Sequence, residues 1–277
     1  MELPDLSPGL SGTHVLITGG AGYIGSATVK AFLAAGAVVS VFDINAEKIA
    51  AFPKHPKLYW QVVDITSESP LEAAFETASR ERGVVQVCVA LASIDFSYLP
   101  HHESLTDMPL GQWRKTMKVN AEGTFLTART WMRQIKQHAT SSTRNLSLVI
   151  IGSEAAEYGV TGNADYSAGK AAVQIGLVQS LKADVVRIHP RARVNAVAPG
   201  AVDTAQFQKE CDQDPNALWR EAQATTALHQ PIPVDAVARS VLFLASESWS
   251  SHVTGQTLRV DAGKQGKVHW MPDEMSR

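Results

Sequence analysis

Tyr166 and Lys170 stand four residues apart in Tyr166-Ser167-Ala168-Gly169-Lys170, within a helix-like pattern. Residues at i and i+4 share a helix face, so phenol and ammonium project together. A nearby ammonium favours the phenolate and lowers the tyrosine pKa from its usual value of about 10. A tyrosine tuned in this way can take a proton from an alcohol or return one to a ketone. Such a pair also arises by chance in many helices, so its setting decides its meaning. Thirteen residues earlier, Ser153 follows the apolar run 148–151 and carries a hydroxyl just past a strand. Ligands of open α/β sheets bind there, outside the carboxyl ends of the strands. Asn120, in Lys118-Val119-Asn120-Ala121-Glu122-Gly123, puts an amide into an otherwise amphipathic helix. It either faces solvent or interrupts the helix to hold a water.

A second constellation lies near the N-terminus. The first apolar run enters Thr18-Gly19-Gly20-Ala21-Gly22-Tyr23-Ile24-Gly25 and then a helical pattern. Glycines at 19, 22 and 25 permit a tight turn, close approach of backbone amides to a pyrophosphate, and close packing of helix on strand. The diphosphate would sit at the helix N-terminus, where unpaired N–H groups and the dipole favour negative charge. The next run ends in Val41-Phe42-Asp43, 18 residues beyond Gly25, and Ile44, Asn45 and Ala46 follow. A carboxylate at that tip accepts hydrogen bonds from ribose hydroxyls and repels a 2′-phosphate, which favours NAD over NADP. Asp43 could instead cap the helix beginning near Ala46. Asp64-Ile65 ends the third run, where Asp64 meets the adenine amino group or caps the next helix.

Elements that could position these groups recur along the whole chain. Strand candidates at 14–18, 38–42, 58–63, 84–91, 146–151, 193–197 and 257–260 are rich in Val and Ile, as in sheets buried on both faces. Helix-like patterns at 23–35, 70–82, 110–137, 165–188 and 234–246 alternate with them. The order predicts an α/β, doubly wound Rossmann fold with about seven parallel strands and helices on both faces. No linker divides the 277 residues, so residues 1–277 read as one domain. The polar stretch 203–233 breaks the rhythm. It contains a helix-compatible piece at 217–228 and reads as a lid or as an ordinary insertion.

Composition removes other classes. The net charge is −2, from 25 basic and 27 acidic residues mixed along the chain, which argues against a nucleic-acid partner. No apolar stretch reaches the roughly 18 residues of a membrane span. Residues 1–11 are acidic and proline-bearing, unlike a signal peptide. Cys88 and Cys211 form neither a disulfide framework nor a metal spacing, and a cytoplasmic location is expected.

Taken together, these motifs resemble the short-chain dehydrogenase/reductase family, in its compact single-domain form, from about Gly12 to Gly263. The family's Tyr-x-x-x-Lys pair matches Tyr166 and Lys170, its serine Ser153 and its asparagine Asn120. The segment Arg193-Val194-Asn195-Ala196-Val197-Ala198-Pro199-Gly200 and the tail 253–263 are similar to the family's too. Thr204, with Val202 beside it, resembles the threonine that meets the nicotinamide amide. The resemblance implies hydride transfer between a secondary alcohol and a ketone. Ser153 would polarise the substrate oxygen, Tyr166 would move the proton, Lys170 would lower the tyrosine pKa and grip the ribose, and Asn120 would position a water leading to Lys170. Thr204 opens the 203–233 excursion, which therefore reads as the substrate lid.

Two motifs depart from the pattern. Tyr23 stands where compact members carry Gly or Ala, and the glycine spacing is closer to sugar-nucleotide-acting members. Ala90-Leu91-Ala92-Ser93 replaces Asn-Asn-Ala-Gly, removing an asparagine that steadies the central sheet and leaving backbone groups near Ala92 to meet the cofactor. Substrate contacts are expected from Asp95, Ser153, Glu154, Asn163 and Tyr166, whose polarity leans towards a hydroxylated or otherwise polar substrate. His101 and His102 read as solvated loop residues. Helices 110–137 and 165–188 carry apolar residues on more than one face; the resemblance, in which these helices pair across a two-fold interface, implies a homodimer or homotetramer, with wholly internal packing the alternative. The alternatives are a non-catalytic NAD-sensing protein, or an epimerase or dehydratase with tightly held NAD. The complete set Asn120, Ser153, Tyr166 and Lys170 argues against the first, and glycine spacing alone suggests the second.

Overall fold

A computed structural model describes residues 6–271 and 273. The domain expected over 1–277 also includes 1–5, 272 and 274–277, which lie outside the described residues. In chain order the elements begin with β1 (His14–Thr18), α1 (Tyr23–Ala34), β2 (Val38–Asp43), α2 (Ala46–Ala50), β3 (Leu58–Val62) and α3 (Glu68–Arg82). The middle holds β4 (Val87–Ala90), α4 (Leu110–Met117), α5 (Thr124–His138), β5 (Ser147–Ile151), α6 (Ala155–Tyr158), α7 (Ala164–Ala171) and α8 (Val178–Ile188). The rest comprises β6 (Arg193–Pro199), α9 (Ala205–Gln213), α10 (Val234–Ala245), α11 (Glu247–Ser250) and β7 (Thr257–Val260).

The seven strands form one parallel sheet in the order β3-β2-β1-β4-β5-β6-β7. Strand order reverses between β1 and β4, so the loops after these two strands open a crevice at their carboxyl ends. Such a switch point is where doubly wound sheets bind ligands.

Side-chain alternation along each strand feeds two cores. Leu16, Phe42, Leu148 and Ile150 face α3, α5 and α8, with Phe75 and Trp131 beneath them. Val15, Ile17, Val39, Val41, Val89 and Val149 face α1 and α10, meeting Val29, Phe32, Val241 and Leu244. Trp131 satisfies its buried indole N–H on the Val85 carbonyl at 2.9 Å, and Val85 is fully buried. The apolar run 84–91 therefore reads longer than β4: Val84 and Val85 are core residues that carry no ladder pairing.

The two long helical patterns are each broken by a wider turn. A π-helical segment at Lys118–Gly123 separates α4 from α5, and another at Ala172–Leu177 separates α7 from α8. Such turns release a local backbone bond and re-aim a side chain, and they recur at functional sites. Here the side chains released inward are amides, Asn120 and Gln174, both 1% exposed.

Candidate active site

The loop after β1 is folded around its glycines. Gly19 has a φ of +70°, in the left-handed region that favours glycine, and a Cβ there would meet the Ala92 Cα at 2.6 Å. A Cβ on Gly25 would fall 2.3 Å from the Gly19 carbonyl oxygen, so the start of α1 lies directly against the turn. Gly22 is the N-cap residue of α1 and offers no capping side chain, which leaves the helix's first N–H groups available to an anion. Asp43 sits at the tip of β2, accepting the Ala21 and Asn45 N–H groups at 2.9 Å each. It does not cap α2; Asn45 does, by accepting the Lys48 N–H at 2.9 Å. These residues fit a dinucleotide: a cradle that only glycines leave open, a helix start free of capping side chains, and a carboxylate held beside the turn. Tyr23 and Ile24 begin α1 at its mouth, with the Lys48 ammonium 5.9 Å above the Tyr23 ring. That cation follows Asp43 by five residues and was not part of the sequence expectation.

The missing asparagine after β4 is replaced from the other strand. Thr18 Oγ1 accepts the Leu91 and Ala92 N–H groups at 3.2 and 3.3 Å and donates to the Val89 carbonyl at 3.4 Å. Sheet and turn are thereby tied at the switch point by a threonine on β1.

The reaction centre is gathered from three elements. Tyr166, on α7, is 4% exposed and donates from its hydroxyl to Asp95 Oδ2 at 3.4 Å. The Lys170 Nζ lies 5.7 Å from the Tyr166 ring centroid and donates to the Ile151 carbonyl at 2.9 Å and to Ser93 Oγ at 3.2 Å. Ser153 is 8% exposed; its N–H donates to Gln174 Oε1 at 2.8 Å and its hydroxyl accepts the Ala155 N–H at 3.1 Å. Phenol, hydroxyl and ammonium thus converge.

Electrostatics correct one expectation. Tyr166 is held well above the usual tyrosine range, chiefly by burial and then by the Asp95 carboxylate, while its hydrogen bond to Ser153 favours the phenolate. The Lys170 charge is not what sets the phenol in the free protein. Lys170 itself is lowered to about 8 by burial, with Asp95 opposing. A phenolate in so dry a place, beside the Asp95 carboxylate, would be costly, and the protein keeps the proton on the phenol.

Other expected positions separate. Asn120 spends its side chain on the Ile94 backbone, with Oδ1 accepting the N–H at 2.8 Å and Nδ2 donating to the carbonyl at 2.9 Å. Its backbone carbonyl accepts the Thr124 hydroxyl at 2.9 Å, so the side-chain amide braces the loop after β4 and the carbonyl keeps one lone pair for a further donor. Asn163 is 1% exposed and bound to Pro100 and His101, at 3.0 and 3.3 Å, so its side chain steadies that loop. Asp64 caps the turn before α3 through Thr66, with both bonds at 2.8 Å. Ile65 is a core residue: a Cβ on Gly123 would meet its Cδ1 at 2.6 Å. His101 is exposed but His102 is half-buried and paired with Gln112 at 2.8 Å.

The far side of the site comes from β6 and the 203–233 excursion. Pro199 ends β6, and Gly200 lets the chain pass Glu154, whose Oε2 a Cβ would meet at 2.6 Å. Val202 bridges Ile232 and closes the excursion's base. Thr204 accepts the Phe207 N–H at 3.1 Å, capping α9. The excursion holds α9 and a π-helical turn at Trp219–Gln223 in place of one helix over 217–228. Its far end is pinned to the C-terminal segment: Thr226 bridges Lys264, and the Lys264 ammonium donates to the Glu221 carbonyl at 2.8 Å. Glu154 Oε1 meets Lys267 at 2.8 Å and Lys264 at 3.3 Å, and Lys267 reaches Glu221 Oε2 at 3.1 Å. Sequence reading named Glu154 but missed Ser93, Gln174, Lys264 and Lys267. Of these only Gln174 left a local signal, as the next residue after Tyr166 and Lys170 in an i, i+4, i+8 row.

Comparison with known proteins agrees with this geometry. Residues 19–265 match a family model described as enoyl-(acyl carrier protein) reductase. The chain is 29% identical over 256 residues to dehydrogenase/reductase SDR family member 6 of Aquarana catesbeiana, covering 92% of this chain and 98% of that one. It is 32% identical over 264 residues to the 3-oxoacyl-[acyl-carrier-protein] reductase FabG of Thermotoga maritima, again covering 92% and 98%. Among solved structures, that of gox2181 superposes with a TM-score of 0.77 at 26% identity, covering 92% of this chain and 96% of that chain.

Proposed function

The chain belongs to the short-chain dehydrogenase/reductase family and is an oxidoreductase of that kind; from that premise we propose that it interconverts a secondary alcohol and a ketone with NAD, using Tyr166 as the acid–base residue. The observation that carries the reading is the convergence of the Tyr166 hydroxyl, Ser153 and the Lys170 ammonium at the carboxyl ends of β4 and β5. When bound, the cofactor supplies the hydride acceptor or donor. Gly19, Gly22, Gly25 and the first N–H groups of α1 would hold its diphosphate, with Tyr23 and Ile24 at the mouth. Asp43 would take the adenosine ribose hydroxyls, and that carboxylate is the reason for preferring NAD to NADP. Ala92, Pro199, Gly200, Val202 and Thr204 line the nicotinamide side.

Within this frame Ser153 hydrogen-bonds the substrate oxygen and fixes the reacting carbon. Tyr166 removes the carbinol proton in oxidation and returns it in reduction. Lys170, anchored on Ile151 and Ser93, keeps a positive charge beside the phenol and reaches for ribose hydroxyls. The excursion 203–233 covers the substrate. Residues 1–277, read as one domain, act as one catalytic unit. A second copy packs on the groove between α5 and α8, a hollow of about 260 Å³ lined by Phe125, Met132, Leu177, Leu181 and Ile188. The protein works in the cytoplasm; among the described residues no helix is long and apolar enough to cross a membrane.

The test is a panel of secondary alcohols and polyols with NAD and NADP, followed by nicotinamide absorbance. Tyr166→Phe is expected to abolish turnover while NADH binding stays within a few-fold. Turnover unchanged in Tyr166→Phe would refute the assigned role.

A further inference from the structure

The loop after β4 puts a carboxylate where the reaction would occur. Asp95 Oδ1 is fixed by the Ser97 N–H at 3.1 Å and the Ser97 hydroxyl at 2.7 Å. Its other oxygen is turned to the Tyr166 hydroxyl at 3.4 Å. A second acceptor lies behind Ser153. Glu154 Oε1 is taken by Lys267 and Lys264, but Oε2 has no hydrogen-bond partner although the side chain is only 8% exposed. Buried acceptors are ordinarily satisfied; this one lies against Gly200, where a Cβ would meet it at 2.6 Å, on the side of the site formed by the end of β6.

We propose that Asp95, with Glu154 behind it, determines specificity by reading a hydroxyl on the carbon next to the reacting carbinol or carbonyl, so that the substrate is a neutral vicinal diol or α-hydroxyketone. This rests on the oxidoreductase reading and deepens it. A substrate oxygen within reach of both Tyr166 and Ser153 lies about one hydrogen-bond length from the phenol oxygen. The neighbouring hydroxyl of a gauche diol stands about the same distance from the first, which brings it to Asp95 Oδ2. An ionised carboxylate accepts only, so the group it reads must donate. Charge agrees with a neutral ligand: Lys264 and Lys267 balance Glu154 and Glu221, and Lys170 balances Asp95, which leaves this cluster no spare cation for a carboxylate or phosphate. Both carboxylates also hold the proton on Tyr166 in the free protein. A simple alcohol that takes the phenol's hydrogen bond leaves Oδ2 without a donor. Asp95 is half-buried, so that loss is moderated by water.

The experiment compares 2,3-butanediol with 2-butanol, which share a carbon skeleton, measuring NADH formation by the full chain, Asp95→Ala and Asp95→Asn. The diol is expected to exceed the simple alcohol by about tenfold or more in kcat/KM, at the low end for a lost polar contact because of that exposure. The ratio should fall to within about threefold in Asp95→Ala, with Asp95→Asn, which keeps an acceptor oxygen, between the two. NADH binding by fluorescence shows that each variant is folded. Equal kcat/KM for the two alcohols, or a ratio unchanged in Asp95→Ala, would overturn the proposal while leaving the oxidoreductase reading intact. Failure of both alcohols, and of acetoin and butanone in the reverse direction, would count against that reading itself and end the proposal with it.

Discussion

Lys170 is a charge kept at a thermodynamic cost, and Lys170→Met measures that cost. The side chain is 3% exposed and its pKa is lowered from 10.5 to about 8, first by burial, with Asp95 opposing. The unfolded chain holds this proton up to 10.5 and the folded one only to about 8. Folding is therefore penalised below pH 8, and the penalty disappears as pH rises from 8 to 10.5. The gap of about 2.5 units (10.5 − 8), at about 1.4 kcal/mol per unit, amounts to about 3 kcal/mol. Methionine has similar length and no charge, but it cannot donate to the Ile151 carbonyl as Lys170 does at 2.9 Å. A buried carbonyl left unpaired costs about 1–3 kcal/mol. Urea unfolding at fixed protein concentration and pH 7.5 should find Lys170→Met as stable as the wild type, or up to about 2 kcal/mol more stable, with turnover lost. The advantage of the variant should then shrink by about 3 kcal/mol between pH 8 and 10.5. A stability difference that stays flat across that window would refute the argument that burial opposes this ammonium.

Two further outcomes are expected. Asp43→Ala removes the carboxylate held by Ala21 and Asn45, and the kcat/KM ratio of NAD to NADP should fall about tenfold or more; an unmoved ratio would count against the ribose contact. His14, 1% exposed, donates from Nδ1 to the Gly83 carbonyl at 2.7 Å and accepts from Ser40 at 2.9 Å. Burial lowers its pKa from 6.5 to about 4. The unfolded chain gains a proton near 6.5 and the folded one only near 4, so about 3 kcal/mol of stability should drain away as pH falls between those values. His14→Asn, which keeps a donor and an acceptor, should lose much less over that range, and parallel losses would show that another group governs acid unfolding.

The middle of the sheet was legible because β1, β2, β4, β5 and β6 are buried and appear as mostly apolar runs, while the edge strands β3 and β7 are exposed or half-buried and showed only as short stretches rich in β-branched and aromatic residues. Boundaries were less so. β4 is shorter than its run because pairing is limited by its neighbours, and the ladders to β1 and β5 span only Val87–Ala90. The pair Tyr166 and Lys170, with Ser153, could be read because helix periodicity and the strand-end rule are local or nearly so. Asp64 and Asn163 were placed at the ligand by their positions at a strand end and before Tyr166, with capping the stated alternative for Asp64; in the structure Asp64 spends Oδ1 on the turn at Thr66, Asn163 is bound to the loop at 100–101, and the Ile65 side chain lies in the core. Ser93, Lys264 and Lys267 could not be found, since they meet Lys170 and Glu154 only through long-range folding. Thr204 shows the opposite difficulty. A threonine before a helix is a capping signal, and α9 begins at Ala205 inside the stretch that read as a polar excursion.

What the sequence patterns concealed most completely is how the two reactive loops are aligned. Each long helix is interrupted by one π-helical turn, and each turn sends a buried amide to the backbone of a loop carrying site residues: Asn120 to Ile94, and Gln174 to Ser153. Ile94 precedes Asp95, and Ser153 precedes Glu154, so the two clamps set both proposed substrate acceptors. Gln174 belongs to the same continuous helical run as Tyr166 and Lys170, from Ala164 to Ile188. Tyr166, Lys170 and the clamp on Ser153 are therefore carried by one helical run. The contact is tight: a Cβ on Gly152 would lie 2.0 Å from Gln174 Oε1, so the loop can approach the amide only because that residue is glycine. The wider turn at 172–177 and the glycine at 152 therefore meet at one contact, which joins Gln174 to Ser153 across 21 residues of sequence and is written in neither local pattern.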